Sequence, residues 1–521
     1  MRNLTAACLC LLVGSSPSSA SGARADAPLW GALEPGDHDV GFRAIDRVDF
    51  ARVWRTPRDL DGKPRAGERA RPMKIGVWYP AKAAPGARAM TLGDYVALLG
   101  GERRAGRPDA AATAAARDAF YAGLRLGEVT PDQRRDAEAL SGRAVRDAAP
   151  AAGRFPLVLY SLGSAALGHV TPEYLASHGY VVVQMPRLGA FAGLPDTGGD
   201  RADFQAKARD LDFIHNVAAE LPFVDPHTVA VIGFSAGGRW ALAKAMRDPD
   251  VRAVVSLDSV MLFDDAPGKA FRGLSETDLD RVRVPVLHMI RDEWVGKEDA
   301  KIWDQLRHAD RTALRFQAGL DHLDFQSIGR TLSLARVRAE KARDITTAFE
   351  LENRYTLAFL DAHVRGDAAA RALLARSPAE NGAPPGFVTV ARAVAEPAPL
   401  DLADFMGAVD DRGVDAAVAA FERAQKSRGG EGLPEPMLNL TAYTLLGSGS
   451  ARDALRLFEL NVANHPRSAN AWDSLADGYL ATGDRKRAGD AARRAIELLA
   501  SDPSPAERKQ AIRDSAEQKL K

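Results

Sequence analysis

The sequence predicts an α/β protein, a mostly parallel sheet flanked by helices, followed by an all-α region of helical repeats. Three observations carry that expectation. Short apolar segments alternate with amphipathic ones from about residue 40 to residue 395, and strand and helix in alternation build an open parallel sheet covered on both faces. A Pro/Ala stretch, "AVAEPAPL" at 393–400, then marks a boundary beyond which strand patterns vanish. Past it, similar residues recur at an offset of 34, the spacing of stacked helix pairs.

The expected strands are 73–79, 156–160, 180–185, 228–234, 251–257, 284–290 and 313–317. Runs such as "TVAVIGF" and "VRAVVSL" are apolar without alternation, which suits strands buried on both faces. Between them, 202–221 and 237–249 read as helices. Residues 101–150 interrupt the rhythm with an Ala/Arg/Asp-rich, helical pattern. This insertion is expected either to cap a pocket or to pack on the sheet edge.

In the repeat region, Leu438 and Trp472, Ala442 and Ala476, Ala454 and Ala488, and Phe458 and Ala492 share the 34-residue offset. Small residues at such points let two helices approach closely. Trp472, Leu475, Tyr479, Ala488 and Pro466 resemble the signature positions of the tetratricopeptide repeat. About three units and a polar closing helix, "PAERKQAIRDSAEQKLK", are expected.

With 521 residues, 46% hydrophobic and 26% charged, the chain can bury large cores in two or three domains. Lys+Arg and Asp+Glu both number 69, so charge argues for neither nucleic acid nor an anionic membrane as partner. The N-terminus has a basic Arg2, an apolar run from Leu4 to Val13 and small residues up to Ala23-Arg24-Ala25. That is the pattern of a secretory leader, expected over 1–25, with Ser18-Ser19-Ala20 as the rival cleavage site. The run is too short for a transmembrane anchor. Both cysteines, Cys8 and Cys10, fall inside the leader, which leaves the exported protein without disulfide, thiolate metal site or cysteine nucleophile. The domain reading is therefore leader 1–25, catalytic domain 26–395 and repeat domain 396–521.

Chemistry centres on Gly233-Phe234-Ser235-Ala236-Gly237, placed between an expected strand and an expected helix. A G-x-S-x-G in that setting is a nucleophile elbow, a sharp turn that exposes the serine, and glycines around it remove side chains that would collide. A serine hydroxyl needs a base. Five histidines follow: His288, His308, His322, His363 and His465. His288 lies in a core strand, His308 and His363 in solvated helical patterns, and His465 in the repeats. His322, in a loop after the last expected strand, is the candidate base. Two aspartates close successive strands, Asp258 in "VVSLDS" and Asp292 in "VLHMIRDEW". Either could hold the imidazole, with Asp292 at the commoner position. Asp321 and Asp324 are expected to be solvated. The N–H of Ala236, next after the nucleophile, is one candidate oxyanion donor. No Gly-rich phosphate loop, H-E-x-x-H motif or clustered metal ligands occur, so no cofactor is expected.

From about residue 36 to 374 the chain resembles the platelet-activating-factor acetylhydrolase branch of the α/β-hydrolases, near the dienelactone hydrolases. The residues that carry the resemblance are "VGFRAIDRVDFARVW", "RPMKIGVWYPA", "FPLVLYSLGSAALG", "GFSAGG", "VVSLDSVMLF", "GLDHLDF" and "RYTLAFLDAHVRGD". The resemblance implies that the acid is the aspartate of Leu257-Asp258, 23 residues past Ser235. It also implies Ser164 as second oxyanion donor, in a loop where Ser161-Leu162-Gly163 stands in place of the branch's Ser-His-Gly. The implied activity is an exported serine esterase acting on short-chain or lipid-derived esters, with Ser235, His322 and Asp258 as its triad. Alternatives are a serine peptidase or amidase of the same fold, or a scaffold whose repeats bind a protein partner beside an inactive hydrolase domain.

Overall fold

The computed structural model describes residues 28–58, 61–67, 69–101, 109–124, 129–161, 163–192, 200–275, 277–317, 319–396, 402–428 and 433–521. The expected leader and both cysteines lie outside the described residues. Among the described residues, twelve strands form one sheet: β1 (Asp39–Val53), β2 (Ala70–Lys82), β3 (Ala89–Thr91), β4 (Ser141–Arg146), β5 (Ala149–Pro150), β6 (Phe155–Ser161), β7 (Val181–Gln184), β8 (Val224–Phe234), β9 (Val251–Leu257), β10 (Val286–Arg291), β11 (Arg311–Phe316) and β12 (Val388–Ala393). The order across the sheet is β12-β11-β10-β9-β8-β6-β7-β2-β1-β4-β3, with β5 paired to β2. β7, β6, β8, β9, β10 and β11 run parallel. β2 joins them antiparallel, as does β12 at the far edge. This is an α/β-hydrolase fold with extra strands at both edges.

Burial explains the central strands. Val158, Val182, Ala230, Ile232, Val255 and Leu287 pack on one face. Leu157, Val181, Val229, Val231, Val254 and Val286 pack on the other. Each fully buried aliphatic side chain contributes about 1.5–3 kcal/mol, so neither face can turn to water and the unbroken apolar runs follow. Helices Val170–Ser177, Arg201–Ala219, Gly237–Ala245 and Ala342–Val364 supply the cover.

The insertion is only partly helical. Helices Ala110–Gly123 and Pro131–Ala139 are followed by β4, which lies between β1 and β3. Tyr121, Leu124 and Val129 join the core around Phe42, Trp78 and Tyr95. β4 is docked by a buried carboxylate. Glu173 accepts from Arg143 N (2.7 Å), Tyr95 Oη (2.9 Å) and Trp30 Nε1 (3.1 Å).

Beyond β12, the described residues form seven helices: Leu402–Arg412, Val414–Arg428, Glu435–Gly447, Ala451–Asn464, Ala469–Ala481, Arg485–Leu498 and Ala506–Lys519. Each packs mainly on its neighbours in sequence. Leu438, Ala442, Ala454, Phe458, Ala476 and Ala492 are all fully buried in one cluster. Tyr443 Oη bonds Asp477 at 2.8 Å, and Arg456 pairs with Glu422 at 3.3 Å. Both pairs span 34 residues, the offset expected from the sequence.

Candidate active site

Three strand ends and one loop build the site. β8 ends at Phe234, and Ser235 follows with φ of 56°. That left-handed conformation is uncommon for a non-glycine residue and costs of order 1–3 kcal/mol. The turn is possible because its neighbours lack side chains. A Cβ on Gly233 would sit 2.4 Å from Gly237 O, and one on Gly238 would sit 2.2 Å from Ser259 Oγ. Helix Gly237–Ala245 then starts directly behind the serine.

The second turn laces to the first. Ser235 N donates to Leu257 O (3.2 Å), and Ser235 O accepts from Val260 N (3.2 Å). Between those two anchors lies Asp258, itself left-handed with φ of 37° and fully buried. Its N–H donates to Met289 O at 2.7 Å, and its Oδ1 accepts from Arg291 N at 3.1 Å. The Arg291 guanidinium adds an ion pair, with Nε 3.2 Å from Oδ2. The ends of β8, β9 and β10 are thus tied in sequence, with the aspartate at the centre.

His322 opens the short 3-10 turn His322–Phe325, reached from β11. Its Nδ1 lies 2.7 Å from Asp258 Oδ2. A carboxylate only accepts, so this contact assigns the proton to Nδ1 and leaves Nε2 free to take one. The imidazole is held between two rings. Phe234 stacks at 4.4 Å and 20°, Trp294 at 4.8 Å and 31°. Arg291 in turn covers Trp294, 4.3 Å from its centroid.

Asp324 and His308 both depart from the solvated positions expected for them. Asp324 is not solvated: it is buried, with Arg338 Nη1 and Nη2 at 2.8 and 3.0 Å. Burial still holds its carboxyl above the usual range, against the pull of Arg338. It anchors the histidine turn, since Asp321 N donates to Asp324 Oδ2 at 2.7 Å while Asp321 Oδ1 accepts from His322 N at 2.7 Å. His308 is buried and bonded to Glu396 O at 3.1 Å, because β12 and the chain after it fold back over that turn. Asp292 is exposed at the start of helix Asp292–Val295.

Ala236 and Ser164 both present backbone N–H groups that no described residue accepts from. Gly163, with φ of 110°, turns the loop before Ser164. The loop is pinned on the far side, where Ile328 N donates to Leu167 O (2.9 Å) and Val170 N donates to Ser327 Oγ (2.9 Å). Helix Ser327–Leu334, which follows the histidine turn, therefore holds the Ser164 loop as well.

Arg291, Trp294 and Arg338 escaped sequence reasoning. No local pattern marks them: the partners of Arg291 and Trp294 lie across strand ends, and that of Arg338 lies 14 residues away on the histidine turn. A buried chain beneath Asp258 escaped it too. Ser259 Oγ lies 2.5 Å from Ser256 Oγ, Ser256 Oγ lies 2.8 Å from His288 Nδ1, and His288 Nε2 lies 2.7 Å from Glu298 Oε1. His288 does sit in a core strand, yet its role there is polar.

No protein-family model matches the chain, and no curated protein matches it. Among solved structures, a ferulic acid esterase from Streptomyces cinnamoneus aligns with 70% of this chain and 98% of its own, at 21% identity and a TM-score of 0.47.

Proposed function

We propose that the chain is an exported serine hydrolase that cleaves carboxylic esters, with short or lipid-derived acyl groups as its substrates. The observation that carries this reading is the 2.7 Å contact between Asp258 and His322 on the strand end that also clamps the Ser235 backbone. In the proposed cycle Ser235 Oγ attacks the ester carbonyl while His322 Nε2 takes its proton. Asp258 holds the imidazole tautomer and stabilises the imidazolium. The Ala236 and Ser164 N–H groups receive the oxygen as its charge develops, a contribution of several kcal/mol for such donors. His322 returns the proton to the leaving alcohol, and water then hydrolyses the acyl-enzyme by the same route in reverse.

The leader supports export. Among the described residues no helix is long and apolar enough to cross a membrane. The C-terminal helices are read as tetratricopeptide-like units that bind a protein partner or brace the catalytic domain.

Labelling with a fluorophosphonate tests the nucleophile. Wild type should react and Ser235→Ala should not. An unlabelled wild type would sink the enzyme reading, and a labelled mutant would sink the site. Nitrophenyl esters of increasing chain length, run beside peptide amides, then define the acyl group and separate esterase from peptidase.

A further inference from the structure

Beside the Ser164 loop lies a small cavity of about 20 Å³, room for a single water-sized group, lined by Phe42, Gly76, Leu98, Ser164 and Gln184 among others. Its floor is a row across the sheet. Ala44 pairs with Gly76, Gly76 with Gln184, and Gln184 with Tyr160. The first two side chains are small or absent, which leaves a hollow where the larger Gln184 carboxamide stands at its edge. Gln184 closes β7, only 3% of it is exposed, and its Nε2 has no hydrogen-bond partner. Leaving a buried donor unpaired costs about 1–3 kcal/mol, so such groups ordinarily face a water or a ligand.

The position is suited to substrate. Ser161, next after the partner of Gln184 on β6, pairs with Gly233 on β8, two residues before Ser235. Two strand spacings separate Gln184 from the nucleophile strand, roughly 9–10 Å, the reach of a few substituent bonds from a scissile carbonyl. The pocket's charge is also informative. Lys74, the cation in its lining, already pairs with Asp46 at 2.6 Å. A carboxylate or phosphate entering there would lack a charged partner, whereas a hydroxyl, ether or carbonyl oxygen needs only the neutral amide.

We propose that this pocket is a substrate subsite in which Gln184 donates a hydrogen bond to an uncharged oxygen carried by the acyl or alcohol half of the ester. The assignment rests on the serine esterase reading. It narrows the substrate class from simple alkyl esters to oxygen-substituted ones.

The test uses the full chain and matched ester pairs that differ by one CH₂-to-oxygen exchange, such as nitrophenyl butanoate and methoxyacetate, with a parallel pair varied in the alcohol. Gln184→Met keeps the side-chain size and removes the donor; Gln184→Glu serves as a second variant if the first folds poorly. Comparing each variant with wild type on both members of a pair cancels intrinsic ester reactivity. In one of the two pairs, kcat/KM for the oxygen ester should fall about tenfold while the alkyl ester changes less than twofold. Equal losses on both members, or no loss on either, would overturn the subsite and leave a water-filled hollow. Fluorophosphonate labelling is run on the same samples. Labelling without oxygen selectivity removes only the subsite, and absence of labelling in wild type removes the esterase reading beneath it.

Discussion

β9 and β10 are parallel neighbours, and each runs into an aspartate, yet the two ends do opposite things. After Leu257 the chain enters the left-handed region at Asp258 and turns back. Its carboxylate is fully buried, receives the Arg291 N–H and contacts His322. After Arg291 the chain continues into helix Asp292–Val295 instead, and the helix start sends Asp292 out to solvent. What β10 supplies to the site is Arg291 and Trp294, a cation against Asp258 and a ring against His322. The difference is set by one backbone conformation. A strained φ at the β9 end is held by hydrogen bonds to β8 and β10, and that strain is what aims the carboxylate.

Exchanging each carboxylate for an amide should separate the two strand ends most. Asp258→Asn should lower kcat by about 10⁴-fold, because the amide stabilises the wrong imidazole tautomer and cannot balance the imidazolium. Asp292→Asn should stay within about twofold. Steady-state kinetics on one nitrophenyl ester decides it. The reverse ranking would move the acid to the β10 end.

The two ends are also bolted together, through His288. If Glu298 is the terminal acceptor, His288 donates from Nε2, Ser256 donates to Nδ1 and Ser259 donates to Ser256. Met261 N, at 3.3 Å from Ser259 Oγ, completes the chain. His288→Leu removes two hydrogen bonds at once, leaving the Glu298 carboxylate without its imidazole partner and the Ser256 hydroxyl with Ser259 alone. A loss of about 2–4 kcal/mol in urea unfolding is expected. The same variant should lower kcat more than it raises KM, since the turn it loosens orients Asp258 and not the substrate. A variant as stable as wild type would show that the chain bolts nothing.

Sequence pattern reached some of this architecture and not the rest, for physical reasons. The central parallel strands announce themselves because both faces are buried, so "TVAVIGF" has no polar position to confuse the reading. β1 reads "DVGFRAIDRVDFARV", with charged residues through an edge region exposed on one side, and β12 carries two arginine-flanking alanines with little burial. Neither has the continuous apolar run that marks a buried strand. At the site, the strand pattern could not separate Asp258 from Asp292, because both close a parallel strand. A backbone dihedral and a contact across 64 residues distinguish them. Asp324 shows the same limit. Its proximity to His322 suggested solvent, while its partner Arg338 comes from 14 residues downstream at a left-handed position.

The β9 end also differs from the β10 end in what lies beneath it. Glu352, on helix Ala342–Val364, is fully buried, and its Oε1 has no hydrogen-bond partner. Burial, with a smaller push from the Asp258 charge, holds its carboxyl well above the ordinary 4.5. Burial beside a second acid thus favours the neutral form of Glu352. Glu352→Gln replaces a neutral group by another of the same shape, so kcat near pH 7 should change less than twofold. Stability should respond instead, with a definite sign. Above about pH 4.5 the unfolded chain releases this proton while the folded chain keeps it, so the folded state loses up to about 1.4 kcal/mol per pH unit from this group until the folded carboxyl ionises. The Gln variant lacks that loss, and its advantage over wild type should grow from pH 5 to pH 7. Urea midpoints taken across that range check it. Curves that remain parallel would mean that Glu352 is ionised in the folded protein and that Asp258 works beside a second charge.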